Sequence, residues 1–230
     1  TDGAFDVTVG PVVNLWGFGP DSRVTEPPTA AAITNAMRSV GYQKIEVDCA
    51  EGLVRKEDPD IYVDLSGWAK GHAVDELAAV LEAKGVANYL VEIGGEIRVA
   101  GLNAKGEKWA LAIEAPSTTS RDVQAVVRMT DTAVATSGDY RNYFESGGVL
   151  YSHTIDPRTG SPVTHALASV TVVHPSAAYA DAMATALLVL GPERGPALAR
   201  ELGLAANFLV RNDTNIETLA TPGFEELDIE

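Results

Sequence analysis

Asp64-Leu-Ser-Gly-Trp-Ala-Lys-Gly-His-Ala-Val-Asp75 is the stretch on which the reading of this chain turns. Up to Leu65 the text is a short, mostly apolar run, Ile61 to Leu65, of the kind that forms strand. From Ser66 the period changes: Val74, Leu77 and Leu81 recur at helical spacing while Asp75, Glu76 and Glu82 face elsewhere, and Gly85 stops the run. Downstream, apolar runs at Tyr89 to Ile93, Ile97 to Ala100, Trp109 to Ile113 and Val123 to Met129 are separated by Gly, Asn, Pro and Ser, as in an antiparallel sheet.

Further out, Leu167 to Val173 reads as another strand. Ser176 opens an apolar helix reaching Leu190, closed by Gly191-Pro192, and a helix near Pro196 to Leu202, a strand near Asn207 to Val210 and a polar tail follow. Upstream, Thr29 suits the N-cap of a helix through about Ser39, Gly41 ends it, and Lys44 to Val47 is strand-like. Gly17 to Pro28 reads as a surface loop. Helices and strands mix without strict alternation, so the sequence predicts an α+β fold with mixed or antiparallel sheets and packed helices, as one domain over 1–230.

Composition narrows the function. At 230 residues and 46% hydrophobic, the chain can bury a sizeable core, and 17 basic against 32 acidic residues leave a net charge of −15. That charge repels nucleic acid and anionic membranes, and a phosphate ligand would need a local cation or backbone donors. The lone Cys49 excludes an internal disulfide and a multi-thiolate zinc site. No run reaches the roughly 18 to 20 apolar residues that span a bilayer, and Thr1-Asp2-Gly3 lacks the features of a signal peptide. A chain opening this way, without Met, reads as a processed or truncated product.

Three stretches can carry chemistry. The Asp64 to Asp75 junction offers the amide donors of a helix N-terminus, with Gly67 and Gly71 permitting close backbone approach and Lys70 adding positive charge. A capping Ser66 and a solvated Lys70 account for the same residues equally well, and His72 reads as a helix-surface histidine. In Tyr179-Ala-Asp181-Ala-Met-Ala-Thr185, a carboxylate and a hydroxyl four residues apart share one helix face. Both are hard oxygen donors of the type Mg2+ prefers, although a helical Thr also bonds back to its own carbonyls. The third is Thr136-Ser-Gly-Asp-Tyr-Arg-Asn-Tyr143, followed by Tyr151-Ser-His153-Thr-Ile-Asp-Pro-Arg-Thr-Gly160. His153, with an ordinary pKa of about 6.5, suits proton abstraction at neutral pH, or else simply ties down its loop.

Taken in register, seven stretches resemble the ApbE family of FAD-dependent protein flavinyl transferases: DGAFDVTVGP, NLWGFGP, DLSGWAKGHAVD, YLVEIGGEI, TSGDYRNYF, YSHTIDPRTG and ADAMATALLVLG, in order from Asp2 to Gly191. The resemblance implies an ApbE-like fold lacking the N-terminal part that family members carry before Asp2. It implies a divalent cation, Mg2+, held by the Asp181 carboxylate, the Thr185 hydroxyl and the Gly67 carbonyl, gripping the pyrophosphate of FAD. It further implies that Ala4, Phe5 and Asp6 line the nucleotide site, that Lys70 lies near the phosphates, that the region of Ile155 touches the cofactor, and that His153 deprotonates the acceptor.

The implied reaction transfers FMN from FAD to a threonine of an acceptor redox protein and releases AMP. The implied location is periplasmic, with lipid anchoring to the inner membrane in a full-length form. The same phosphate machinery with water as nucleophile would give an FAD pyrophosphatase, and a non-enzymatic FAD-binding maturation factor is the third reading.

Overall fold

The computed structural model describes residues 1–20, 24–116, 122–212 and 215–230. Along the chain lie α1 (Gly10–Leu15), α2 (Ala30–Ala36), β1 (Ile45–Asp48), β2 (Leu53–Lys56), α3 (Ser66–Ala83), β3 (Tyr89–Ile93), β4 (Glu96–Ala100), β5 (Trp109–Glu114), β6 (Val123–Met129) and β7 (Thr132–Gly138). There follow β8 (Tyr143–Ser146), β9 (Val149–Ser152), β10 (Ile155–Asp156), β11 (Ser161–Pro162), β12 (Leu167–His174), α4 (Ala177–Glu201), β13 (Ala205–Arg211), β14 (Ile216–Ala220), α5 (Pro222–Glu225) and β15 (Asp228–Ile229). They form two compact units, Thr1–Leu65 with Asn142–Thr164 and Ser66–Arg141 with His165–Glu230.

The larger unit is built on a six-stranded antiparallel sheet in the order β14-β13-β12-β7-β4-β3. Successive residues of a strand point to opposite faces, and β12 shows both being used. Val170 and Val172 pack with Ala180, Ala184 and Leu187 of α4. Val173 instead joins Leu111, Ile113 and Val127 of a second, three-stranded sheet ordered β15-β6-β5. Helix α3 packs through Val74 and Ala78 on Tyr89, Val91 and Ala133. The smaller unit holds α1, α2 and the hairpins β1–β2, β8–β9 and β10–β11, with Val12, Trp16 and Ile155 at its core.

Helices α3 and α4 touch backbone to backbone. A Cβ on Gly71 would lie 2.3 Å from the Ala177 carbonyl oxygen and 2.8 Å from Ala178 Cα, so no side chain fits there. The start of α4 is capped twice. Ser176 Oγ accepts from Tyr179 N–H at 3.2 Å, and the Asp75 carboxylate, reaching over from α3, accepts from the N–H groups of Ala177 and Ala178 at 3.0 Å each and from Ser176 Oγ at 2.8 Å. Arg98 Nη1 donates to Asp75 at 2.8 Å from β4. Gly191, at φ 79 and ψ −176, breaks α4 where the sequence expects a stop, and Pro192 begins its second segment.

Several expectations need correction. Ile61 to Leu65 forms no strand: Asp64 N–H donates to the Val7 carbonyl, but the segment joins no ladder, and Tyr62, Val63 and Leu65 are exposed. The runs from Tyr89 to Met129 divide between two sheets, not one. Thr132–Gly138 is a central strand whose polar end masked its period. The polar tail, of which 213 and 214 lie outside the described residues, contains β14, α5 and β15; Phe224 anchors it in the intersheet core. Among the described residues no helix is long and apolar enough to cross a membrane.

Candidate active site

In the larger unit, α4 presents Asp181 one turn before Thr185. Asp181 is 3% exposed, and its Oδ2 accepts from the Gly71 N–H at 3.0 Å. In an ideal helix that N–H would be directed at the Gly67 carbonyl four residues back. The close approach permitted by Gly71 therefore brings the first turns of α3 to the Asp181 carboxylate. Thr185 Oγ1 lies 3.0 Å from Ser137 Oγ of β7, so its partner is a neighbouring strand. Burial raises the Asp181 pKa above the usual carboxylate range, against the lowering pull of the Gly71 amide and the Lys70 charge.

Lys70 is not merely a solvated charge. Its Nζ donates to Glu96 Oε1 at 2.5 Å, and Glu96 is 1% exposed. The Gly94-Gly95 turn aims Glu96 inward, with φ of +61 and +104, and a Cβ on Gly94 would press on Lys70 Cδ at 3.2 Å. Burial raises the Glu96 pKa; Lys70 lowers it and the nearby Asp181 charge adds to the rise. Two buried carboxylates thus flank one ammonium. Sequence reasoning overlooked Glu96 and Ser137, although a Glu directly after Gly-Gly inside an apolar hairpin is a legible signal. His72 stacks on Trp68, ring centroids 4.3 Å apart, in keeping with a helix-surface role.

Among the described residues no three His, Cys, Asp or Glu side chains gather as a metal cluster. A carboxylate, a hydroxyl and a backbone carbonyl form a different, hard-oxygen set that suits Mg2+, which keeps several waters and needs only one or two carboxylates. The residues present fit that ion. The buried carboxylates Asp181 and Glu96, the second with an unpartnered Oε2, are the groups a cation would neutralise.

In the smaller unit, His153 is half-buried. Its Nδ1 lies 3.1 Å from the Asn142 carbonyl oxygen, which also accepts the His153 backbone N–H at 3.0 Å. A carbonyl only accepts, so Nδ1 carries the proton in the neutral ring and Nε2 is the basic nitrogen. Phe18 meets the ring edge-on at 6.3 Å, next to the stacked pair Phe144 and Tyr151.

Ala4 is buried and Phe5 partly so. Asp6 is an internal brace: Oδ1 accepts from Thr8 N–H and Oγ1 at 2.8 and 2.6 Å, and Oδ2 accepts from Tyr42 N–H at 2.9 Å. The Ile155 side chain is 6% exposed and packs with Val12 and Trp16, which leaves its backbone as the part able to meet a ligand.

The family model described as ApbE family matches residues 1–208. A Vibrio cholerae FAD:protein FMN transferase is 47% identical over 98% of this chain and 67% of its own length, and the Haemophilus influenzae protein of that name is 45% identical over 99% and 66%. The solved flavin transferase ApbE from Vibrio cholerae superposes with a TM-score of 0.89 at 44% identity, covering 98% of this chain and 71% of that one. The apo flavinyl transferase ApbE of Pseudomonas stutzeri gives 0.88 at 45%, covering 98% and 69%. The chain thus spans about two thirds of the length of its curated relatives. By sequence and by fold, it belongs to the ApbE family.

Proposed function

We propose that this chain is the catalytic part of an FAD:protein FMN transferase. The observation that carries the reading is the buried Asp181 carboxylate, seated against the first turns of α3 beside Lys70, with Thr185 one turn further on. The names of its relatives agree with it. In the proposed reaction the hydroxyl of an acceptor threonine attacks the FMN-side phosphorus of FAD. A new oxygen–phosphorus bond forms, the bond from that phosphorus to the bridging oxygen breaks, and AMP leaves with that oxygen.

His153 Nε2 takes the hydroxyl proton, with Nδ1 steadied by the Asn142 carbonyl. Lys70 holds positive charge against the phosphates. Asp181, Thr185 and the Gly67 carbonyl would hold Mg2+, which supplies charge neutralisation at the pyrophosphate and leaving oxygens. Ala4, Phe5, Asp6 and Ile155 belong to the segments that border the nucleotide, with Asp6 keeping its own loop in shape. The acceptor is an extracytoplasmic redox subunit and the setting is the periplasm.

The test is incubation with FAD, Mg2+ and a redox subunit carrying a candidate threonine, followed by mass spectrometry. The reading expects an FMN-sized adduct that disappears with EDTA. Free FMN and AMP without adduct would replace it with a pyrophosphatase, and unaltered FAD would leave a flavin-binding maturation factor.

A further inference from the structure

Glu96 is the group at this site that the chemistry so far leaves unused. One oxygen holds Lys70; the other, Oε2, is buried and meets no hydrogen-bond donor among the described residues. A buried carboxylate oxygen without a donor is costly, and a water or ion from outside the chain is a partner that relieves that cost. The neighbourhood says what that partner is. Glu96 holds Lys70, the residue before Gly71, whose N–H donates to Asp181 at 3.0 Å. Mg2+ retains waters that donate hydrogen bonds to surrounding acceptors, and such outer contacts orient a metal site.

Resting on the cation reading above, we propose that Glu96 is the second acidic group of the divalent-cation site, its Oε2 accepting a hydrogen bond from a water on the bound ion. The Gly94-Gly95 turn is what delivers it, since no residue with a Cβ sits easily at φ of +61 and +104 beside the Lys70 stem. Lys70 then has two tasks, neutralising Glu96 while the site is empty and facing phosphate when it is full. Glu96 is a positioning residue, because it reaches the ion only through water.

Mn2+ alone, titrated without FAD and followed by the loss of its free-ion EPR signal, tests this apart from turnover. Asp181→Ala is expected to abolish binding, and Glu96→Gln, which keeps shape and removes charge, to raise Kd about 10-fold to 100-fold. Lys70→Met removes a repelling cation and is expected to tighten Mn2+ binding. If Glu96 acts only through Lys70, both substitutions weaken binding together, and the assignment is overturned. Unchanged affinity in Glu96→Gln, with binding lost in Asp181→Ala, overturns the role of Glu96 while the cation reading stands. A wild-type protein that takes up no Mn2+ overturns both. Should Glu96→Gln fail to fold, the apolar pair Lys70→Met with Glu96→Met, compared with Lys70→Met alone, carries the same test: a weaker Kd in the pair comes from the lost carboxylate, and an equal Kd overturns the role of Glu96.

Discussion

Asp181 and His153 have separate roles in the proposed reaction, and single substitutions should separate them. Asp181→Ala removes the carboxylate that accepts the Gly71 N–H of α3 and is expected to abolish Mg2+-dependent FMN transfer and weaken FAD binding, as read by flavin fluorescence. Transfer at the wild-type rate would remove Asp181 from the site. His153→Ala leaves Asp181, Thr185 and Lys70 in place. FAD affinity should hold while the transfer rate falls about 10²-fold to 10⁴-fold, the ordinary worth of a positioned base. An unchanged single-turnover rate would return His153 to the role of a loop tie.

At the scale of elements, the α3–α4 contact decides whether Asp181 meets the first turns of α3. Gly71→Ala drives a methyl into the Ala177 carbonyl and must part the helices, so it should lower both thermal stability and cation affinity. Asp75 works at the same contact from the other side. Burial alone would raise its pKa, but the amides of Ala178 and Ala177, then Arg98 and Ser176, hold it below the usual carboxylate value. A carboxyl with a depressed folded pKa contributes stability that is fully present above its unfolded pKa of about 3.9 and is lost as pH falls through the folded value. Asp75→Asn should therefore destabilise by about 1–3 kcal/mol at neutral pH, and its Tm should converge on that of the wild type as the pH drops below about 4. A gap in Tm that stays constant with pH would refute the charge argument.

Much of this element plan was legible in the sequence. The periodicity of Val74, Leu77 and Leu81 gave α3, Ser176 gave the start of α4, and Gly191 gave its break, because caps and periods are local properties. What periodicity cannot carry is partnership. Ile61 to Leu65 has strand composition but joins no ladder, and Thr132–Gly138 ends in polar residues, one of which, Ser137, meets Thr185. Spacing leaves Asp181 and Thr185 ambiguous, and the family resemblance is what singles them out. Glu96 did not, because its meaning comes from Lys70, 26 residues away.

For the whole molecule, a net charge of −15 opposes an anionic dinucleotide wherever no cation intervenes. In EDTA, FAD binding should tighten as NaCl rises from low to physiological concentration, because screening relieves repulsion. With saturating Mg2+ this dependence should flatten. Fluorescence titrations at several salt concentrations read both arms, and weakening with salt in EDTA would point to a local basic field stronger than the overall charge.

The Asp75 cap on α4 also governs the order in which this protein can come into being. Its partners Ser176, Ala177 and Ala178 lie 101 to 103 positions further along the chain, and Gly71 is 110 positions from Asp181. On a ribosome, the first turn of α4 can rest on its carboxylate only when α3 is already in place, and α3 must wait about a hundred residues for the turn it caps. The Gly71–Asp181 contact is therefore a late acquisition of this unit during its synthesis, and the proposed cation site, if its ion is taken up, would report that this long-range contact has closed.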